Sequence, residues 1–405
     1  MNLYDGDVRD ELGDRLILGI ESSCDETSAA VVRGGREELS NVVASQLVHA
    51  SYGGVVPELA SREHLRAIVP VAREAMRRAG VLYEELDAVA VTEGPGLAGA
   101  LLVGITFAKA LAFGTARPLI AVNHLEGHIH AVLMGTETSF AEATPILALV
   151  VSGGHTHLYL ASRTTTQVWQ YRNVGKTLDD AAGEAYDKVA KLLGLPYPGG
   201  PWMDALAAYG DPSAVPFSFA QIKTKVHGRP APKLAREAGA DRDERRFDMS
   251  FSGIKTAVRR HVELHGMRGR IGEREAAFQA QGLATAKAGD AEALGHALKL
   301  VDVETLNLIA SFQASVAGYL TRTAMAAAEH LGARALIVSG GVAANRELRQ
   351  RMAAEAEKRG LRVAFPSISL STDNAAMIAA AAWPKLVARQ FAADELEPAP
   401  QLRLG

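Results

Sequence analysis

The chain predicts an α/β fold of two related lobes with a ligand cleft between them, and three observations predict it. Buried-strand runs alternate with helical periodicity along most of its 405 residues, the pattern of sheets connected by packed helices. Strand runs at 16–21, 148–151 and 335–338 each end in a small polar turn: Ser22-Ser23-Cys24-Asp25-Glu26-Thr27, Ser152-Gly153-Gly154 and Ser339-Gly340-Gly341. The last two are nearly one phrase, ALVVSGG and ALIVSGG, an internal echo that suggests duplication. Glycines at the carboxyl end of a strand let a backbone approach an anion, and ligands of open α/β sheets sit at that end. A single such turn reads more simply as a tight connection, and three in one chain weaken that reading.

In order along the chain, 16–21 (LILGIE) is a buried strand and 29–33 a second one. Helical periodicity runs from 61 to 79, with Leu65, Ile68, Val69, Ala72 and Met76 on one face. A strand at 88–92 leads into the turn Glu93-Gly94-Pro95-Gly96, then a buried helix at 99–113 and a strand at 119–122 that delivers His124. Asp179 and Asp180 open a helix, whose N-terminal dipole suits acidic groups, and Tyr197-Pro198-Gly199-Gly200-Pro201 follows. Residues 223–274 hold 14 Lys/Arg against 7 Asp/Glu, either a solvated insertion or an RNA-contacting face. The Ala/Gly/Gln-rich stretch 276–298 reads as a loose helix or linker, and 375–382 as an Ala-rich helix. The expected organisation is a flexible extension at 1–15, an N-terminal lobe at 16–144, and a C-terminal lobe at 145–385 with a basic insertion around 223–298. A final segment at 386–405 returns to the first lobe.

Composition narrows the function classes. A formal net charge of −3 gives no global attraction to nucleic acid, so RNA contact requires a local patch or a partner. The single cysteine, Cys24, excludes an internal disulfide and fits a reducing compartment. The polar first fifteen residues do not resemble a signal or transit peptide, and the Ala-rich runs are too interrupted for a bilayer span. A cytoplasmic protein without a membrane association is the expectation.

Two motifs carry metal chemistry. In Asn123-His124-Leu125-Glu126-Gly127-His128 the histidines are four apart, so on a helix both imidazoles leave one face and can share a cation. Leu125 stands where a zinc peptidase carries its glutamate base, which disfavours that chemistry. Two unliganded helix histidines are the plainer alternative until a third ligand is found. Asp373, before the Ala-rich helix, offers one, although a helix cap is the commoner use of such an aspartate. Glu184 and Asp187 could take ribose hydroxyls beside Gly199 and Gly200.

Nine segments, in order, then carry a resemblance: GIESSCDET, GGVVPELASREH, VTEGPGLAGALLVG, NHLEGHIHA, LVVSGGHTHL, TLDDAAGEAYDKVAKLLGLPYPGGP, SFSGIKTA, SGGVAANRELR and STDNAAMIA. From 17 to about 382 the chain closely resembles the TsaD/Gcp (Kae/Qri-type) family of tRNA N6-adenosine threonylcarbamoyltransferases. The resemblance implies a duplicated α/β fold of the actin-like and sugar-kinase ATPase (ASKHA) class, with nucleotide and metal in the cleft. It implies His124, His128 and Asp373 as ligands of one divalent metal, iron foremost, with zinc or manganese also suited to the donor set. Val150, Val151, Ser152, Gly153 and Gly154 match a phosphate-side loop, Asp187, Gly200, Asp204 and Asn345 match ribose and base positions, and Asp25 and Glu26 match an acidic pair at the reaction centre.

The implied reaction moves the threonylcarbamoyl group from threonylcarbamoyl-adenylate to the N6 amine of the adenosine next to the anticodon in tRNAs reading ANN codons, releasing AMP. The implied partners are tRNA, a TsaB-like paralogue with a helical, apolar contact, and a TsaE-like P-loop ATPase. Three features depart from the family pattern: Ser371 in place of a cysteine, His157 in place of a glutamine, where it could perturb the metal shell, and a longer 223–298 region. Competing readings are a metal-dependent glycoprotein endopeptidase, a small-molecule kinase of the same fold, and a non-enzymatic scaffold.

Overall fold

The computed structural model describes residues 13–52, 54–164, 168–219, 246–283 and 286–405. The first half begins with strands β1 (Leu16–Glu21), β2 (Glu26–Arg33) and β3 (Glu37–Ser45) and helix α1 (Pro57–Ala79). Strand β4 (Ala88–Gly94), helix α2 (Ala98–Thr115), strand β5 (Leu119–Asn123) and helix α3 (His124–Met134) complete it. The second half opens with strands β6 (Ile146–Val151), β7 (Thr156–Arg163) and β8 (Trp169–Lys176). Helices α4 (Ala182–Leu192), α5 (Gly199–Ala207), α6 (Ser252–Leu264), α7 (Arg268–Ala280), α8 (Ala291–Leu300) and α9 (Val303–Leu331) follow. The chain then runs through β9 (Ala335–Ser339), α10 (Arg346–Lys358), β10 (Arg362–Ala364) and α11 (Ala375–Val387).

Each half forms one five-stranded sheet, in the orders β3-β2-β1-β4-β5 and β10-β9-β6-β7-β8. In both, an antiparallel three-strand meander is followed by two strands parallel to its first member. The duplication is therefore real, but β6 corresponds to β1, and β9 to β4. The two SGG phrases lie on adjacent parallel strands of one sheet, with Val150 opposite Ser339. Their likeness reflects a shared position at the rim of that sheet.

The central strands are apolar on both faces because both are covered. Ile17, Ala30, Val32, Ala88 and Ala90 pack with Ala375, Ile378, Ala379 and Ala382 of α11. Leu18, Ile20, Val31, Val89 and Val91 pack with Ile68, Ala72 and Met76 of α1 and Leu101 and Ile105 of α2. In the second lobe α9 is the central helix, started by Asp302 accepting from the Thr305 amide and ended by Gly332 in the left-handed region. Leu308, Ile309, Phe312, Val316 and Leu320 bury its core face.

Several expectations change. The stretch 276–298 is no linker: its described residues fall mainly in α7 and α8, with Phe278, Ala293 and Ala297 buried. Alanines spaced by four make a helix face too weakly apolar to stand out in the sequence. The helix expected to be buried at 99–113 is covered on one face only. Leu101, Ile105 and Ala108 are buried there, while Leu102 is 53% and Phe113 91% exposed. By length and composition α2 could cross a membrane, but that inner face is a layer of the first lobe. Asp373 does not cap α11; the neighbouring Asn374 does, accepting from the Met377 amide at 3.0 Å.

Helix α11, within the segment expected to belong to the second lobe, packs on the first sheet and on α3. The chain beyond it stays on the first lobe through Ala392 N to Leu119 O at 2.8 Å and Ala399 N to Glu93 O at 2.9 Å. It ends with Leu404 buried in a cluster that joins α3 to strands of the second sheet. Most of the expected N-terminal extension and the 220–245 part of the basic stretch lie outside the described residues.

Candidate metal centre and ligand cleft

The carboxyl ends of β1, β4 and β6 face a cleft of about 940 Å³. Ser23, Asp25, Glu26 and His124 line it from one lobe, and Ser152, Gly153, Gly154, His155, Asp187 and Tyr197 from the other. Thr372 and Asp373 form part of the wall, as does Pro400 of the C-terminal strap.

Helix α3 begins directly at the end of β5, with the Asn123 side chain accepting from the Leu125 amide at 2.9 Å. That start fixes His124 and His128 one turn apart, their ring centroids 4.7 Å from each other. Asp373 completes a triangle: its Oδ1 lies 3.2 Å from His128 Nε2 and 3.6 Å from His124 Nε2. Asn374 takes the capping role and donates to Thr372 O at 2.8 Å, which leaves the Asp373 carboxylate free to face the imidazoles. His128 is fully buried, yet neither ring nitrogen has a partner in hydrogen-bonding geometry. A buried imidazole without a partner is costly, and a cation between these three side chains would remove that cost. Two nitrogens and a carboxylate oxygen suit a divalent transition ion.

Glu21, at the end of β1, supports the centre and was not singled out from sequence. Its carboxylate accepts from Thr92 Oγ1 at 2.6 Å and the Ser23 amide at 2.5 Å, and lies 3.1 Å from His124 Nδ1. This holds His124 with Nδ1 toward Glu21 and Nε2 toward Asp373. The available signal was a carboxylate ending a fully apolar strand run, where it must find partners. Burial alone would lower the His124 pKa, but the carboxylates of Asp373 and Glu21 outweigh it and raise the pKa to about 9. Burial works to raise Asp373, while His124 and His128 hold it well below the usual carboxylate range. The pocket thus selects positive charge. Glu21→Gln is expected to weaken metal binding about 10- to 100-fold; chelator competition giving an unchanged affinity would remove Glu21 from this role.

The acidic turn after β1 lies beside the centre. Burial, then Asp25 and Asp373, push the Glu26 carboxyl well above its ordinary value. The same influences, burial first, push the Cys24 thiol up and keep it neutral. The histidine nearest the metal ligands from the second lobe is His155, its ring 6.2 Å from His124 and its pKa lowered to about 3 by burial and then by His124. His157, where a perturbation of the metal shell was expected, instead bonds Tyr159 Oη at 2.6 Å.

The SGG turn after β6 is held by Ser152 N to His155 O at 2.7 Å and His155 N to Ser152 Oγ at 3.1 Å. Gly153 and Gly154 are exposed. Val150 and Val151 are completely buried strand residues that support the turn from behind. Gly183, at the start of α4, is required by packing, since a Cβ there would lie 2.6 Å from Ser152 O and 2.8 Å from Gly153 N. Gly340, at φ 88, brings the second SGG turn against Val151.

The residues expected at ribose and base divide. Asp187 lines the cleft, with Oδ1 accepting from the Gly199 and Gly200 amides at 2.8 and 3.2 Å. Gly200, Asp204 and Asn345 do not line it. Asp204 pairs with Arg346 Nε at 2.9 Å, and Asn345 caps α10 while donating to Gln313 at 2.7 Å. These last two side chains join α5, α9 and α10. Asp179 and Asp180 also do more than favour a helix N-terminus. Asp179 accepts from the Phe251 amide at 2.7 Å, and Asp180 pairs with Lys188 at 2.7 Å and Lys255 at 2.8 Å. In the basic stretch 223–274, Arg242 and Arg245 lie outside the described residues, and Arg246 bonds Asp248 and Asn173.

A family model described as "TsaD: tRNA N6-adenosine threonylcarbamoyltransferase" matches residues 37–380. A tRNA N6-adenosine threonylcarbamoyltransferase of Koribacter versatilis is 56% identical over 97% of this chain and 100% of its own. One of Symbiobacterium thermophilum is 48% identical over 92% of each chain. Among solved structures, full-length HypF in its phosphate- and nucleotide-bound form aligns with a TM-score of 0.51 at 12% identity, over 93% of this chain and 47% of that one. At that identity the likeness concerns the fold alone.

Proposed function

The chain belongs to the tRNA N6-adenosine threonylcarbamoyltransferase family, and from that premise we propose how its cleft performs the transfer. It is a transferase of the actin-like ASKHA fold that modifies an adenosine of tRNA. In the proposed reaction the N6 amine attacks the carbonyl carbon of threonylcarbamoyl-adenylate and AMP leaves. The target is the adenosine beside the anticodon in tRNAs reading ANN codons.

The observation that carries this reading is that His124 and Asp373, grouped with the buried His128, line the same cleft as the exposed Gly153-Gly154 backbone. The SGG turn offers main-chain donors to the adenylate phosphate, as anion-binding turns do. Asp187 has its Oδ2 free of partners among the described residues and can accept from ribose hydroxyls. Asp204 and Asn345 act from behind, holding the helices that shape the nucleotide end. A divalent ion held by His124, His128 and Asp373, iron by family resemblance with zinc or manganese alternatives, would supply Lewis-acid polarisation of carbonyl or phosphate oxygen. Glu26 is proposed to accept the amine proton, with burial and then Asp25 keeping its affinity for protons high. The direct test is reconstitution with threonylcarbamoyl-adenylate and unmodified tRNA, followed by nucleoside mass analysis. Absence of the modified adenosine would reject the substrate assignment.

The partner assignments of a TsaB-like paralogue and a TsaE-like ATPase are also proposals. For the paralogue, adjacent helices α1 and α2 present Leu65, Val69, Leu102 and Phe113 outward, an apolar face of the kind that marks association surfaces. Leu102→Glu is expected to weaken that heterodimer at least about tenfold, with monomer stability unchanged within about 0.5 kcal/mol. Sedimentation of the mixed proteins checks it; an undiminished complex moves the interface elsewhere.

A further inference from the structure

A second cluster of ligating side chains lies outside the cleft, on the outer surface of the second lobe. His261 and His265 are four apart at the C-terminal end of α6, so both imidazoles leave the same side. Their rings lie nearly parallel, with centroids 4.1 Å apart and planes inclined by 18°. Glu304, in the first turn of α9, brings Oε1 to 3.3 Å from His265 Nδ1. One ligating atom from each of the three residues lies within 4.8 Å of the others.

We propose that His261, His265 and Glu304 form a second, solvent-facing site for a divalent transition ion of the zinc type, which ties α6 to α9. The donor set is two imidazoles and a carboxylate with room for water, the composition of an open zinc site. The His261 ring nitrogens have no hydrogen-bond partner among the described residues, so they are open to a ligand. A simple His265–Glu304 ion pair would explain one of these contacts but gives the His261 ring no partner. Arg270 already donates to the other oxygen of Glu304 at 2.6 Å, leaving Oε1 for the ion. Its guanidinium charge opposes a second cation nearby, so the arginine tempers the affinity.

The test is a Zn²⁺ titration of the metal-stripped full-length chain against a chromophoric chelator. His265→Ala and Glu304→Gln are each expected to remove one equivalent that His128→Ala leaves in place. Arg270→Gln should tighten that equivalent. Saturating Zn²⁺ should raise the Tm of His128→Ala but not of the combined His128→Ala/His265→Ala protein, because only a native-state site stabilises by mass action. His265 and Glu304 are surface residues, so these replacements leave the core packing intact. If neither H265A nor E304Q removes an equivalent, the site is overturned. If H265A removes it and E304Q does not, the three-ligand assignment is overturned.

Discussion

Replacing His128 with alanine is expected to empty the metal centre and to lower threonylcarbamoyl transfer about a thousandfold, with the fold retained. The buried imidazole faces Asp373 at 3.2 Å and has no hydrogen-bond partner whose loss would leave another group exposed. Its removal opens a small void beside an aspartate that keeps His124. Lewis-acid activation contributes several kcal/mol to reactions of this type, and about 4 kcal/mol corresponds to a thousandfold in rate. Metal content by mass spectrometry, circular dichroism and single-turnover transfer together separate the outcomes. A variant that folds, lacks metal and transfers at the normal rate would dismiss the ion from the chemistry.

Glu26→Gln is expected to lower kcat by about 10²- to 10⁴-fold, the contribution typical of a positioned general base. Because burial and neighbouring carboxylates raise its pKa above the ordinary 4.5, the base form appears only as pH rises through that elevated value. The wild-type rate should therefore climb with pH on a limb above the ordinary carboxylate range, and the variant should lack that limb. Stability has the opposite sign. A carboxyl with a folded-state pKa above its unfolded value favours folding while protonated, and that advantage is lost as pH rises from the unfolded value to the folded one. The glutamine variant should accordingly be at least as stable as wild type at neutral pH. A loss of both activity and stability would point to a structural role for Glu26 instead.

Much of this was legible in the sequence where a local pattern carries its own physics. LILGIE, LVVSGG and LIVSGG are apolar on both pleat faces because helices cover both sides of their sheets, and His124 and His128 show helical spacing before any coordinate is known. The third metal ligand was harder. Only the adjoining Asn374, which takes the α11 amides, frees Asp373 for the imidazoles, and two neighbouring residues with equal capping ability cannot be ranked by spacing. Glu21 was hidden for a related reason: its partners Thr92 and His124 arrive from β4 and α3, far along the chain. The roles of Asp204 and Asn345 depend on Arg346 and Gln313, which only the packing of α5, α9 and α10 brings near. The SGG echo correctly suggested a two-lobed molecule while joining the wrong pair of strands, since local likeness records a position at a sheet rim and not descent of one lobe from the other.

The packing of α11 on α3 and on the first sheet bears on turnover. His124 and His128 ride on α3 and Asp373 directly precedes α11, whereas the glycine turn belongs to the second sheet. Helix α3 also packs on β6 and β9 through Leu125, Ile129 and Val132, so the ligand set is anchored to both sheets. With its ligands clamped between both sheets, an ion bound there would keep its place while nucleotide, proposed to lie on the exposed Gly153-Gly154 turn, exchanges.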